Sequence, residues 1–139
     1  MPQKQFLIAE DDAALRTLLV SLLGVTGVAC VAVPNGAIAI DALRRHHFDG
    51  LILDLMMPGA NGFEVLEFIR CERPHLKHRT IVVTAANDVT LRHFDPNGIS
   101  TLLKKPFDVN DLLAEVRRIA TSAEAAGEKQ PPTNRDLQR

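Results

Sequence analysis

Leu51-Ile52-Leu53-Asp54-Leu55-Met56-Met57-Pro58-Gly59 is the stretch whose reading decides the fold. The unbroken aliphatic run before Asp54 reads as a short strand buried on both faces, as in a parallel sheet covered by helices on each side. Met57-Pro58-Gly59 then forces a turn, because proline has no amide to donate and glycine adopts backbone angles that other residues avoid. A carboxylate beside a core is costly unless it has partners or a metal. The plain reading of a strand-end aspartate is the cap of a loop or helix, and it holds for Asp54 until the rest of the chain supplies partners.

Working outward, four more aliphatic runs read as strands over 6–9, 28–33, 80–84 and 99–103. Amphipathic segments lie between them. Leu15, Leu18, Leu19, Leu22 and Leu23 recur at helical spacing after Asp12, a good N-cap, and Gly24 and Gly27 end that helix. Ala37, Ile40, Ala42 and Leu43 mark a second helix whose basic end, Arg44-Arg45-His46-His47, complements the helix dipole without any further role. Asn61 caps a third over 63–70, with Phe63, Leu66 and Ile69 on one face. A weak fourth helix is predicted over 87–94. A fifth opens at Asp108 and Asp111, with Leu112, Leu113, Val116 and Ile119 on its apolar stripe. Strands alternating with helices predict an α/β fold, a doubly wound five-stranded parallel sheet with helices on both faces.

The bulk numbers fit one domain. The chain has 139 residues, 46% of them hydrophobic and 24% charged. Sixteen basic against 17 acidic side chains leave a net charge of −1, so there is no electrostatic footprint for direct nucleic-acid binding. Cys30 reads as a small core residue and Cys71 as a residue following a helix, with no disulfide framework and no paired-cysteine metal site. No signal-peptide core and no apolar run of membrane-spanning length is visible, which makes a reducing cytoplasm the expected compartment. Residues 4–121 are expected to form the domain, and 122–139, small, polar and Pro-rich, a flexible tail or linker.

The polar residues gather at strand ends: Glu10, Asp11 and Asp12 after the first, Asp54 after the third, Thr84 on the fourth, Lys104 and Lys105 after the fifth. A parallel sheet puts all its carboxyl ends on one edge, and ligands bind there at the topological switch point. Several carboxylates in one pocket repel one another unless a hard divalent cation joins them. Mg²⁺ suits such a set, since it takes oxygen ligands and keeps several waters. Thr84 and a lysine would leave a hydroxyl and a positive charge for a second anion, an inventory that suits a phosphoryl group on Asp54. Asp12 reads as the helix cap and Lys104 as a solvated neighbour, because strand alternation sends only one of the two lysines inward. His75, His78 and His93 show no metal-ligand spacing and are given no role.

Over 5–120 the sequence resembles the receiver domain of bacterial two-component response regulators. Four motifs in order carry the resemblance: Leu7-Ile8-Ala9-Glu10-Asp11-Asp12, Leu53-Asp54-Leu55-Met56-Met57-Pro58-Gly59, Val82-Val83-Thr84-Ala85 and Lys105-Pro106-Phe107. Each is weak alone; together, each at a strand end, they are specific. The resemblance implies a flavodoxin-like sheet of order 2-1-3-4-5. It implies Asp54 as phosphoacceptor from the phosphohistidine of a sensor histidine kinase or histidine phosphotransfer protein. Asp11, Asp54 and the backbone carbonyl of Met56 would then bind Mg²⁺, with Glu10 acting through a metal-bound water. Thr84 and Lys105 would contact phosphoryl oxygens, the Lys105–Pro106 peptide would be cis, and a small Ala85 would leave the approach to Asp54 open.

The family's aromatic switch position, three residues before the lysine, is here Leu102, which has no polar end to exchange between solvent and core. Signalling would run through the fourth helix, fifth strand and fifth helix, a surface that in some regulators forms a homodimer. Met56 and Ala86 offer no polar group to position a hydrolytic water, which implies a slow reset. Two other readings compete. A Mg²⁺-dependent phosphatase with an aspartate nucleophile usually has a second acid two residues on, where this chain has Met56. A receiver-like binding module that is never phosphorylated would not need the full acidic set. No output domain follows, so the chain reads either as a stand-alone regulator or as a receiver from a longer protein.

Overall fold

A computed structural model describes residues 3–57, 61–85, 91–92 and 94–127, the backbone alone over 123–127. Five strands, β1 (Gln5–Ala9), β2 (Ala29–Val33), β3 (Gly50–Leu53), β4 (Thr80–Thr84) and β5 (Thr101–Lys104), form one sheet in the order β2-β1-β3-β4-β5. Every pairing is parallel, as the aliphatic strands predict. The described helices are α1 (Ala13–Val25), α2 (Gly36–Arg45), α3 (Gly62–Glu72) and α4 (Val109–Gly127). The weak helix predicted over 87–94 falls mostly outside the described residues.

Strand alternation divides the core between the two faces. Phe6 and Ile8 pack with Leu19 and Leu23 of α1 and with Leu112, Val116 and Ile119 of α4. Leu7 and Ala9, pointing the other way, pack with Ala39 and Leu43 of α2 and with Val65, Phe68 and Ile69 of α3. A smaller third cluster joins Leu55, Val82 and Ile99 to the half-buried Leu102 and Phe94. Asp12 caps α1 by accepting the Leu15 amide at 3.0 Å, and Asn61 caps α3 by accepting those of Phe63 and Glu64.

Several boundaries differ from expectation. The buried stripe of α3 is Val65, Phe68 and Ile69, with Phe63 and Leu66 half-buried, because the helix begins at Gly62 and turns its second and third apolar rows inward. Cys71 lies inside α3, which runs on to Glu72. Ile99 is buried outside β5, which starts two residues later. A 3₁₀ segment over Pro74–Arg79 fills what reads as a simple break and buries Leu76 beneath it. Helix α4 continues to Gly127, beyond the point where the tail was expected to begin, since Ala123, Ala125 and Ala126 are strong helix formers.

Candidate metal and phosphoryl site

The register of β1 against β3 builds the site. Ala9 pairs with Leu53, so the next residues, Glu10 and Asp54, leave adjacent strands side by side. The Asp54 amide donates to the Ala9 carbonyl at 3.0 Å and the Glu10 amide to the Val33 carbonyl at 3.1 Å, which fixes both backbones at the sheet edge. From β4, Thr84 is fully buried. It pairs with Lys104, and the next residue, Lys105, donates its amide to the Thr84 carbonyl at 2.9 Å. The Lys105–Pro106 peptide is cis, as the motif implies.

Three carboxylates converge. Oxygen atoms of Glu10, Asp11 and Asp54 lie within 4.8 Å of one another, and among the described residues they are the one such group of three. Glu10 and Asp54 are 1% and 4% exposed, whereas Asp11 faces solvent. The Lys105 ammonium answers both buried acids, at 3.2 Å from Glu10 Oε1 and 3.2 Å from Asp54 Oδ2. Each acid also accepts a nearby amide: Asp54 Oδ1 from Met56 at 3.0 Å, Glu10 Oε2 from Asp12 at 3.1 Å.

One lysine does not neutralise this set. Burial first, and then the charge of Asp54, push Glu10 up to about 7, against the opposing pull of the Asp12 amide and Lys105. Burial lowers Lys105, but the charges of Asp54 and Glu10 outweigh it and raise the ammonium above its ordinary value. The pocket therefore holds more negative charge than its own cation balances, on hard oxygen donors, which fits a divalent ion of the Mg²⁺ type.

Helix α3 approaches this edge unusually closely. The Gly62 amide donates to the Leu55 carbonyl at 3.0 Å, and a Cβ at Gly62 would sit 2.4 Å from the Asp54 carbonyl oxygen and 2.5 Å from Leu55 Cα. Gly62 thus belongs to the site's supports, a role its position at the start of a helix did not reveal. Arg16 is a second such support: its guanidinium donates to the Glu10 carbonyl at 2.8 Å from the first turn of α1. Leu102 lies half-buried in the third cluster, packed with Leu55, Val82 and Ile99. Lys104 is exposed and Asp12 caps α1, as read from the sequence. Pro58, Gly59 and Ala86 lie outside the described residues.

An acidic triad with two buried members and one lysine, at the switch point of a 2-1-3-4-5 parallel sheet, defines a class of doubly wound proteins with an oxyanion- and metal-type site at the strand carboxyl ends. Residues 6–117 match the family model for the response regulator receiver domain, and the chain belongs to that family. It is 31% identical over 131 residues to the DNA-binding transcriptional regulator NtrC of Escherichia coli (strain K12), covering 94% of this chain and 27% of that protein. Across the similar regulators the chain spans between 24% and 58% of their length. In fold it matches a CheY-like receiver domain protein from Methanospirillum hungatei JF-1, with a TM-score of 0.80, 23% identity and coverage of 90% of this chain and 99% of that one. It also matches response regulator protein TrrA from Thermotoga maritima, solved in complex with Mg²⁺-BeF, with a TM-score of 0.75, 26% identity and coverage of 84% and 99%. No described helix is long and apolar enough to cross a membrane.

Proposed function

We propose that the domain is a phosphorylation-driven signalling switch in which Asp54 accepts a phosphoryl group from a sensor histidine kinase or a histidine phosphotransfer protein in the cytoplasm. The observation that carries this reading is the Lys105 ammonium held 3.2 Å from both Glu10 and Asp54 at a buried sheet edge. In the transfer, an Asp54 oxygen forms the new O–P bond as the P–N bond of the phosphohistidine breaks, and the imidazole leaves. Asp54 is suited to this role because both its oxygens are held in place, Oδ1 by the Met56 amide and Oδ2 by the Lys105 ammonium. Once the acid is converted to the acyl phosphate, Lys105 is free to turn from it to a phosphoryl oxygen. Thr84, buried beside it on β4, supplies a hydroxyl.

Asp11, Asp54 and the Met56 carbonyl would hold Mg²⁺ directly and Glu10 through a water. When bound, the ion neutralises charge that develops on the transferring group. Hydrolysis of the aspartyl phosphate resets the switch, slowly, since the exposed Met56 side chain cannot orient a water. The readout runs through Leu102 and β5 to α4 and the helix expected over 87–94. Its output is protein contact, including a homodimer through that surface, or an attached effector.

Intact-mass analysis after incubation with a small phosphodonor and Mg²⁺ tests the chemistry. A single phosphoryl adduct, acid-stable and base-labile, is expected on the native chain and none on Asp54→Ala. Undiminished labelling of that variant refutes the assignment.

A further inference from the structure

At the sheet edge opposite Asp54, a cleft of about 240 Å³ opens between the C-terminal end of α2, the approach to β3 and the 3₁₀ segment before β4. Arg44, Arg45, Arg73, His46, His47 and His75 line it, and no carboxylate does. The sequence gives these residues no role beyond complementing a helix end. Asp41 pairs with Arg45 at 3.0 Å and Asp49 with His47 at 3.2 Å, both from outside the cleft. Among the described residues, no carboxylate pairs with Arg44 or Arg73. Their guanidiniums instead lie 5.2 and 5.5 Å from the centroid of the Phe68 ring.

Structural duties account for part of this set. Arg73 closes the end of α2 by donating to the carbonyls of Leu43 at 3.1 Å and Arg44 at 3.5 Å, and it donates to the Glu72 backbone carbonyl at 2.7 Å. That engages three of the five N–H groups of a guanidinium and leaves two. Capping and the helix dipole explain Arg73, and a single cation besides. They do not explain six basic side chains on one concave surface.

The electrostatic state of the cleft shows in His75, whose ring stacks on that of His47 at 5.6 Å with 7° between the planes. Burial of the ring and then the positive charges of His47, Arg79 and Arg73 hold it down at about 4, a hydrogen bond with Phe48 opposing. Two of the charges that lower it, those of His47 and Arg73, belong to residues lining the cleft.

We propose that this cleft is a second, anion-binding site and that its ligand is a small phosphomonoester. A phosphomonoester carries about −1.5 to −2 charges at neutral pH and three terminal oxygens, so it can use more of these donors than the two oxygens of a carboxylate. Arginine forks match that geometry in pairs of parallel hydrogen bonds. The volume adds a size limit. It is about eight times the ~30 Å³ share of one liquid water, more than a bare phosphate fills. It is also below the roughly 300–1,000 Å³ of pockets for drug-sized ligands. The remainder of the ligand is therefore compact, and it lies over the apolar floor of Leu43, Phe48 and Leu76.

Two-dimensional amide NMR of the full chain, titrated with glycerol phosphate in EDTA, tests this. EDTA removes any divalent ion that could bridge the probe to the acidic site. Saturable shifts confined to residues 43–48 and 73–76 are expected, persisting in Asp54→Ala. Arg44→Gln should weaken binding at least about tenfold, the loss of one hydrogen bond to a charged group. Arg70→Gln, on the outer face of α3, should leave it unchanged. Arg45→Gln gives a second reading, should loss of the Arg44–Phe68 contact unfold the chain. No saturable response, or binding as tight as the native chain's by both the Arg44 and Arg45 variants, overturns the site. A response to a polyglutamate peptide with none to glycerol phosphate overturns the ligand class.

Discussion

Replacing Gly62 with alanine tests how the phosphoryl edge is supported. The added Cβ would lie 2.4 Å from the Asp54 carbonyl oxygen, 2.5 Å from Leu55 Cα and 3.0 Å from the Asp54 carbonyl carbon. All three are backbone atoms, so no side chain can swing aside. Ordinary contact at about 3.4 Å or more requires the 54–55 backbone and the first turn of α3 to separate by about 1 Å, an overpacking that costs about 1–3 kcal/mol. Alanine returns part of this, about 0.5–1 kcal/mol, through its better helix propensity. The two ranges leave a net loss centred on about 1 kcal/mol, and for a domain of this size the midpoint of thermal unfolding should fall by about 3–6 °C.

The displaced backbone carries Asp54 and runs into Met56, so Mg²⁺ affinity and phosphodonor labelling should fall together with stability. Gly24→Ala in α1 is the matched control, because its Cβ meets nothing within 4 Å. It should be neutral or slightly stabilising. Circular dichroism melts with and without Mg²⁺, alongside intact-mass labelling, make the comparison. A Gly62→Ala protein that melts with the native one and binds Mg²⁺ equally well refutes the claim that this approach supports the site.

Lys105→Met strands two buried carboxylates facing each other. In EDTA at pH 8 it should cost about 3 kcal/mol, the low end for a broken buried pair because the lysine is 23% exposed, as read from urea denaturation. A cost within error of zero would mean that the lysine does not balance the site. Glu10 also predicts a pH dependence. Its folded value of about 7 lies above the ordinary 4.5, so the folded chain holds the extra proton between these values and apo stability falls as pH rises through that window. Metal must displace that proton below pH 7, so the rise in melting temperature on adding Mg²⁺ should be larger at pH 8 than at pH 6. An equal rise at both removes Glu10 from the metal set. For the readout, light scattering should give twice the monomer mass only after phosphorylation, and a monomer in both states rules out the homodimer.

How much was legible in the sequence follows from where the information sits. Asp54, Thr84 and Lys105 were readable because each stands where an aliphatic run stops, and a charged or hydroxyl group at such a point needs a reason. The parallel sheet was readable for the same cause, strands uniformly apolar on both faces. Gly62 was not: its constraint is a contact with the backbone at Asp54 and Leu55, and nothing in the spacing of a helix start announces it. The inward rows of α3 escaped because Phe63, Leu66 and Ile69 form one helical stripe and Val65, Phe68 and Ile69 another, and only the packing of α3 on β1 and β3 decides between them. The basic cleft joins residues from two segments 30 positions apart, where Arg73 reaches the Leu43 carbonyl. Each segment alone looks like a helix end or a turn.

The ammonium that joins Glu10 to Asp54 reaches back 95 residues to the first acid and 51 to the second. Ion pairs of such sequence separation form after most of the chain is in place, since closing the intervening loops must come first. Opening β5 would withdraw Lys105 from both acids at once. The charge balance of the site therefore has no half-built form: a chain with β5 opened or clipped away keeps the carboxylates and loses their cation. Amide exchange at Lys105, whose N–H is tied to the Thr84 carbonyl on the neighbouring strand, would then keep time with unfolding of the whole sheet and report whether the domain is competent to receive a signal.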